Sequence, residues 1–312
     1  MRAPPQQRRL ADRRLHLHDG PIDLIVEAFG EMSAAEEAYA AAWGRFATIL
    51  DELCSELPLL RADPRVAQTP HGAVARRMAA AVAAFRVRRF LTPMAAVAGA
   101  VAEEVLEAMT TGRKLARAYV NNGGDIALHL TEGEQFTVGL IDRPDALGLM
   151  RTAVIRADDA ARGIATSGYH GRSFSLGIAD AVTVLAATAA QADAAATVIA
   201  NAVDLPGHPA VVRCPANELQ PDSDLGERLV TRDVGFLTPF EISAALDAGQ
   251  AKASLLLASG LIEVAALHLK GEIRVIGLPS TGANVLHQQA TMRSMPERVP
   301  TAKFIRQQGA HP

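Results

Sequence analysis

The sequence predicts an α+β fold in which mixed or antiparallel sheets are flanked by helices. Several short segments alternate apolar and polar residues and are joined by glycine-containing turns, as strands in hairpins are. Ala-rich segments with helical spacing separate groups of strands instead of following every strand, so the regular βαβ alternation of a doubly wound sheet is missing. With 312 residues, 49% hydrophobic and 21% charged, the chain can bury a large core, which excludes a disordered protein.

The chain is expected to begin with a tail, a hairpin and a long helix. Residues 1–14 are basic and without periodicity, which predicts a flexible, solvated tail. Residues 14–26 alternate on both sides of an Asp-Gly-Pro turn and are predicted to form a two-stranded hairpin. Ser33, with Glu36 three residues later, has the spacing of a capping box and predicts the start of a helix that continues to about residue 56.

The same two periodicities predict the remaining elements. Further helices are expected at about residues 70–85, 95–109, 191–203, 239–251 and 253–261, and strands at about 118–120, 126–130, 135–141, 152–156, 182–187, 211–213, 264–269 and 272–276. Together they predict one domain over residues 15–277, with two closely packed subdomains as the alternative. Residues 278–312 lack periodicity and are expected to form an irregular C-terminal tail.

The composition and charge of the chain argue against several classes of protein function. A net charge of −3, a pI near 6.3, one Trp and three Tyr give no basis for nucleic-acid binding. No apolar run follows the N-terminal arginines and no long uncharged segment stands out, so neither export nor membrane insertion is expected. We therefore expect a cytoplasmic protein, and the sequence leaves its oligomeric state open, a homo-oligomer included.

One candidate binding segment is the turn Asn122-Gly123-Gly124-Asp125 between two predicted strands. Paired glycines permit positive φ and leave backbone N–H groups uncovered, a geometry that cradles phosphate oxygens. The same letters are also a strong hairpin signal, so a plain turn is the alternative interpretation.

A second candidate segment is Thr166-Ser167-Gly168 with the loop that follows it. Arg172 in this loop can pair bidentately with a phosphate, and His170 can act as a general base near neutral pH. A polar surface loop of no particular function has a similar composition and stays open as the alternative.

A third candidate is the pair Asp193 and Thr197, spaced i and i+4 in an Ala-rich predicted helix. That spacing places both side chains on one helix face, one turn apart. Two oxygen donors on one face suit Mg²⁺, which takes one or two protein carboxylates together with water and substrate phosphates. The alternative is a solvated helix face. If all three candidate segments act together, the ligand is a small molecule that bears phosphate.

In this order, the segments resemble the core motifs of the ApbE-like superfamily, whose best-known members are FAD:protein FMN transferases. The resemblance covers about residues 90–205 and rests on Ala95–Glu103, Val120–Ile126, Ala165–Gly168, Thr183–Leu185 and Ala192–Thr197. The amino-acid sequences of Pro93–Gly99 and Gly177–Val184 resemble more closely an uncharacterised cytoplasmic branch of that superfamily, a UPF family of unknown function.

The resemblance implies roles for the candidate residues. The matching Asp and Thr of the transferases hold Mg²⁺ beside the FAD pyrophosphate, which implies Asp193 and Thr197 as metal ligands, with a backbone carbonyl near Val97–Ala98. The Gly-Gly-Asp and Thr-Ser-Gly segments would shape a flavin nucleotide pocket. If the chain is a transferase, His170 is the base for an incoming hydroxyl.

The sequence also departs from the transferase pattern. Transferases usually carry His-x-x-Asp-Pro-x-Thr-Gly before the final strand, whereas residues 169–180 contain neither Asp-Pro nor Thr-Gly. The lysine of the usual Ala-Lys-Gly is missing at Ala98-Gly99. Three functions therefore remain open: a flavin or nucleotidyl transferase using FAD and Mg²⁺, a non-catalytic flavin or nucleotide carrier, and a cytoplasmic metabolic enzyme acting on another small substrate.

Overall fold

One antiparallel sheet of nine strands organises the residues described by the computed structural model, which are 2–63, 69–85, 90–141 and 149–277. The strands in chain order are β1 (Gln6–Arg9), β2 (Leu15–Asp19), β3 (Ile22–Gly30), β4 (Leu115–Asn122), β5 (Asp125–Leu130), β6 (Gln135–Ile141), β7 (Leu149–Arg156), β8 (Gly163–Ser167), β9 (Ala181–Ala186), β10 (Val211–Pro215), β11 (Leu229–Val234), β12 (Val264–Leu269) and β13 (Glu272–Ile276). The spatial order in the large sheet is β1-β2-β3-β4-β5-β8-β9-β12-β13, while β6–β7 and β10–β11 form separate hairpins.

Helices cover one face of this sheet. They are α1 (Met32–Ser55), α2 (Leu57–Leu60), α3 (Ala73–Ala83), α4 (Val97–Thr110), α5 (Ala189–Ala200), α6 (Ala216–Leu219) and α7 (Pro239–Ala258), with a 3₁₀ turn over Pro93–Ala96. Helices packed on antiparallel strands confirm the α+β prediction.

The two faces of the sheet bury different clusters because side chains alternate along each strand. On the helical face, strand residues such as Leu24, Val120 and Val184 join the main core with α1, α3, α4, α5 and α7. On the other face, Tyr119 and Leu128 join a second cluster with side chains of the β6–β7 hairpin. The candidate site lies at the edge of the main core.

Helix α5 approaches α4 and β8 very closely, and glycines allow it. A Cβ on Gly99 would lie 2.2 Å from the carbonyl oxygen of Ala189, and one on Gly163 would lie 2.1 Å from the carbonyl carbon of Thr188. The Glu103 side chain accepts a hydrogen bond from the backbone N–H of Ala190 at 2.6 Å. These contacts fix the first turns of α4 and α5 against each other.

Several element boundaries differ from those expected. Helix α1 begins at Met32 after Glu31 and has no side-chain cap, so the capping box predicted at Ser33 is wrong. The two helices expected over residues 239–261 are one helix, α7, which begins with a capping box of Thr238 and Glu241. Strand β1 lies inside the segment expected to be a flexible tail, and residues 278–312 lie outside the described residues. Among the described helices, none has the length and apolar character needed to span a membrane.

Candidate functional site

Asp193 connects α5 to the start of α4. Its Oδ2 accepts a hydrogen bond from the backbone N–H of Gly99 at 3.0 Å, and the N–H of Ala98 also points to this carboxylate. The first amides of a helix have no partner inside the helix, and the N-cap residue of α4, Ala96, provides no side-chain acceptor. Asp193 therefore caps α4 from a neighbouring helix, which fixes the position of its carboxylate.

Asp125 is the second carboxylate of the site. It begins β5, and its Oδ1 accepts the backbone N–H of Thr166 from β8 at 3.2 Å. Burial raises the pKa of Asp125 from 3.8 to about 7, against the opposing effects of this hydrogen bond and of the Arg172 charge. Burial also raises the pKa of Asp193 well above its ordinary value, and the charge of Asp125 raises it further. The two carboxylates are thus close enough to interact electrostatically.

Arg172 lies against the glycine turn that leads into Asp125. Gly123 has φ of +65°, and a Cβ there would lie 2.3 Å from Nη2 of Arg172. The N–H of Gly124, which has φ of +118°, donates to the Asn121 side chain at 2.8 Å. The turn predicted to bind phosphate is therefore a tight, closely packed turn. The guanidinium of Arg172 lies against it, near enough to the carboxylate of Asp125 to act on its pKa.

Asn122 is a structural link rather than an exposed ligand. Its side chain is buried and donates to the carbonyl oxygen of Ala98 at 3.1 Å. This bond joins the glycine turn to the first turn of α4. The carbonyl of Ala98, in the segment where the family resemblance implied a metal ligand, is thereby tied to the glycine turn that leads into Asp125.

The Thr-Ser-Gly segment covers the end of β8, with Gly168 directly after the strand. The backbone of Thr166 reaches Asp125, while its side chain lies 2.9 Å from the Thr183 hydroxyl oxygen on β9. Ser167 is half-buried, and Gly168 packs so closely that a Cβ would lie 2.3 Å from the Asp180 carbonyl oxygen. Of these three residues, Thr166 has a contact with the acidic pair, through its backbone N–H.

Thr197 follows Asp193 by one turn of α5 and is half-buried. The helix is regular over Ala189–Ala200, so the predicted spacing on one face holds as a backbone relationship. Its assignment as a metal ligand stays a prediction.

His170 is paired with the carboxylate of Asp180, the residue directly before β9. Its Nε2 lies 3.3 Å from Oδ1 of Asp180, and its ring stacks on Tyr169 with centroids 3.8 Å apart. The Asp180 side chain is 3% exposed, whereas that of His170 is 52% exposed. A charged residue directly before an apolar strand was the signal for Asp180, because such a carboxylate must be paired if the strand is central in its sheet.

The residues present fit a divalent cation of the Mg²⁺ type. In the described parts of the chain, no three His, Cys, Asp or Glu side chains form a metal cluster. Mg²⁺ needs fewer protein ligands than such a cluster because it retains water and takes phosphate oxygens of its substrate. Asp125 and Asp193 supply two carboxylates whose mutual repulsion a cation would relieve, and Arg172 supplies a positive charge for a phosphate.

The chain is similar to known proteins at the levels of family, sequence and structure. A family model described as AbpE bacteria matches residues 7–275. A UPF0280 protein of Methanothermobacter thermautotrophicus is 39% identical over 116 residues, which is 36% of this chain and 43% of the relative. A UPF0280 protein of Methanopyrus kandleri is 33% identical over 182 residues, which is 57% of this chain and 69% of the relative. The matched region thus spans less than half the length of the first relative.

Structural similarity to a solved protein is weaker. The ApbE protein of Thermotoga maritima is 12% identical with a TM-score of 0.35, over 80% of this chain and 77% of that one. The family match covers most of the chain, including all three candidate segments. The chain therefore belongs to the AbpE bacteria family, an ApbE-like family to which the UPF0280 proteins are related.

Proposed function

We propose that the protein binds FAD with a divalent cation at Asp125 and Asp193 and transfers the FMN group to a hydroxyl. The observation that carries this proposal is the acidic pair itself: burial raises the pKa of both carboxyl groups, and the charge of Asp125 raises the pKa of Asp193 further. A site that holds two carboxylates under repulsion is stabilised when a cation binds between them. The ApbE-like motifs point to the FAD pyrophosphate as the anion that accompanies the cation.

Each residue of the site has a role in this proposal. Mg²⁺ would be held by Asp193 and Asp125, with Thr197 and the carbonyl of Ala98 beside them. The amides of α4 fix the carboxylate of Asp193, and the N–H of Thr166 fixes that of Asp125. Bound there, Mg²⁺ would withdraw charge from the pyrophosphate oxygens. Arg172 would pair with a phosphate at the surface of the glycine turn.

The transfer step balances as a displacement at phosphorus. The oxygen of the acceptor hydroxyl forms a bond to the FMN phosphorus, and the bond from that phosphorus to the oxygen of AMP breaks. AMP leaves with the electron pair of the broken bond, and His170 takes the proton of the hydroxyl. The acceptor is a small molecule or a side chain with an accessible hydroxyl.

Titration of FAD into the purified chain, with and without Mg²⁺, tests this function. Flavin fluorescence reports binding, and chromatography of the filtrate reports AMP. Mg²⁺-dependent binding with AMP release supports the transferase. Stoichiometric binding without AMP release would contradict catalysis and indicate the flavin carrier, while absence of binding in both conditions would overturn FAD as the ligand.

A matched pair of variants localises the site. Asp193→Asn removes one of the two carboxylates and should weaken Mn²⁺ binding, followed by electron paramagnetic resonance, at least about 10-fold. Asp247→Asn removes an exposed carboxylate that pairs with Arg274 on the far strand β13 and should leave Mn²⁺ affinity unchanged. Equal affinity in both variants would contradict the cation site.

A further inference from the structure

A buried carboxylate lies between two imidazoles behind the loop of residues 168–180. Asp180 directly precedes β9, and His268 lies on the neighbouring strand β12, where it pairs with Ala181. The side chains of Asp180 and His268 are 3% and 7% exposed, and that of His170 is 52% exposed. Asp180 and His268 are therefore both buried, and His170 is the exposed member of the cluster.

The hydrogen bonds identify which nitrogen of His268 carries the proton. The backbone N–H of Gly271 donates to Nε2 of His268 at 3.1 Å, so Nε2 is an acceptor without a proton. In the neutral ring the proton is then on Nδ1, which lies 3.5 Å from Oδ2 of Asp180. His268 thus presents a donor to the carboxylate.

The turn between β12 and β13 presents a second donor to the same oxygen. Lys270 and Gly271 have φ of +49° and +88°, as the central residues of a type I′ hairpin turn have. The N–H of Lys270 donates to Oδ2 of Asp180 at 2.5 Å, while its Nζ reaches the carbonyl oxygen of Val234. The N–H of Lys270 therefore holds Oδ2 by a hydrogen bond, Nδ1 of His268 lies 3.5 Å from the same oxygen, and Oδ1 lies 3.3 Å from Nε2 of His170.

The loop keeps His170 in this position. The N–H of Tyr169 donates to the carbonyl oxygen of Ala179 at 3.0 Å, and that of Gly171 donates to Gly168 at 3.1 Å. A carboxylate facing Nε2 favours the tautomer with the proton on Nε2, which makes Nδ1 the ring nitrogen that accepts a proton. Asp180 and Tyr169 are the titratable groups in contact with His170, while His268 and Lys270 contact Asp180.

The same segment connects this cluster to the acidic pair. Thr166 at its start donates its N–H to Asp125, and Arg172, two residues after His170, lies against Gly123. We propose that Asp180 is a positioning residue that holds His170 with its proton on Nε2, and that His268 and the Lys270–Gly271 turn hold Asp180. The pairing stands on these contacts alone, whereas its use in removing a hydroxyl proton rests on the proposed function.

Ring ¹⁵N shifts of the whole chain, labelled in histidine, test the positioning. Spectra at about pH 8.5, above the ordinary titration range of imidazole, report which nitrogen of each ring carries the proton. His170, assigned with the variant His170→Gln, should carry it on Nε2, and His268 on Nδ1. A His170 proton on Nδ1 in the wild-type chain would overturn the proposal, even if the variants described next fail to fold.

Asp180→Asn should reverse the tautomer of His170. Its amide oxygen can still accept from Lys270 and His268, so its NH₂ faces Nε2 of His170 and the ring proton moves to Nδ1. The analogous change in a serine protease triad produces the wrong tautomer and lowers kcat. Asp23→Asn, which alters a carboxylate beside His16 and His18 on β2, is the control and should leave His170 unchanged.

Kinetic measurements distinguish a positioning role of Asp180 from a purely structural role. If the wild-type chain releases AMP from FAD, Asp180→Asn should lower kcat by about 10²–10⁴-fold with KM for FAD little changed. An unchanged tautomer with a raised KM would indicate a merely structural carboxylate and contradict the proposal. Absence of FAD binding by the wild-type chain would defeat the proposed function and leave the tautomer result as it stands.

Discussion

The charge of Asp125 raises the pKa of Asp193, although one residue begins a strand and the other lies in a helix far along the chain. Each carboxylate is held by backbone N–H groups, that of Thr166 for Asp125 and that of Gly99 for Asp193. Since those donors are fixed by the sheet and by α4, the two acids cannot separate to reduce their repulsion. Protonation or a cation are the two ways to relieve it.

Two substitutions of Asp193 should have different effects on stability. Asn keeps an oxygen for the amides of α4 and removes the charge, so the thermal midpoint of the metal-free protein at pH 8 should equal or exceed that of the wild type. Ala removes the cap as well, and we expect it to be less stable than the Asn variant by about 0.5–2 kcal/mol. Calorimetry at one pH measures both; equal stability of the two variants would contradict the capping role.

In the metal-free protein, the contribution of Asp125 to the free energy of unfolding should fall as the pH rises from about 4 to about 7. The folded-state pKa of Asp125, about 7, lies above its ordinary value of 3.8, so in this interval the folded chain binds more protons than the unfolded chain. Stability then decreases with pH, because the proton count of the unfolded state is the smaller one. Urea unfolding at several pH values measures the slope.

A double variant isolates this contribution from other titrating groups. In the double variant Asp125→Asn with Asp193→Asn the pair no longer titrates, so the stability of the wild type relative to the variant should decrease as the pH rises through that interval. Mg²⁺ should raise the midpoint of the wild type more at pH 8 than at pH 5.5, because it competes with protons for the same oxygens. A Mg²⁺ effect independent of pH would contradict a carboxylate site.

Arg172→Gln should weaken the binding of phosphate-bearing ligands. Hydrogen bonds to charged groups are worth about 1.5–3 kcal/mol, which corresponds to a loss of about 10–150-fold in affinity. Fluorescence titration with FAD, and with inorganic pyrophosphate as competitor, measures this loss. Arg232→Gln, which removes an exposed guanidinium on β11, should bind as the wild type does; a similar loss in both variants would indicate a non-specific charge effect.

Local patterns in the sequence were sufficient to predict most elements near the site. The hairpin over residues 264–276 and the strands on both sides of Asn122–Asp125 are where alternation and glycine turns predicted them. The start of α1 was misplaced because Ser33 and Glu36 match a capping box whose geometry the chain does not use. A sequence pattern shows which cap is available, whereas the tertiary contacts determine which one forms.

The contacts between residues of the site were harder to predict from the sequence. Asp180 and His268 are separated by 88 positions, and no spacing rule relates a residue before one strand to a residue in another. The pairing depends on β9 lying beside β12, a topology that hydrophobic periodicity does not specify. Asp125 and Asp193 were both selected from motifs, but their electrostatic coupling follows from the packing of α5 on β8.

Gly99→Ala should damage both the fold and the cation site. An added Cβ would lie 2.2 Å from the carbonyl oxygen of Ala189 and 2.7 Å from the nitrogen of Ala190, so α4 and α5 must move apart. Overpacking of this kind costs about 1–3 kcal/mol. Because the N–H of Gly99 holds Asp193, Mn²⁺ affinity should fall together with the free energy of unfolding.

Gly44→Ala is the control for this prediction. Gly44 is exposed in α1, and an added Cβ would have nothing within 4 Å, so the change should stabilise the chain by about 0.5–1 kcal/mol and leave Mn²⁺ affinity unchanged. A Gly99→Ala variant as stable as the wild type, with the same Mn²⁺ affinity, would mean that the close approach of α4 and α5 does not position Asp193.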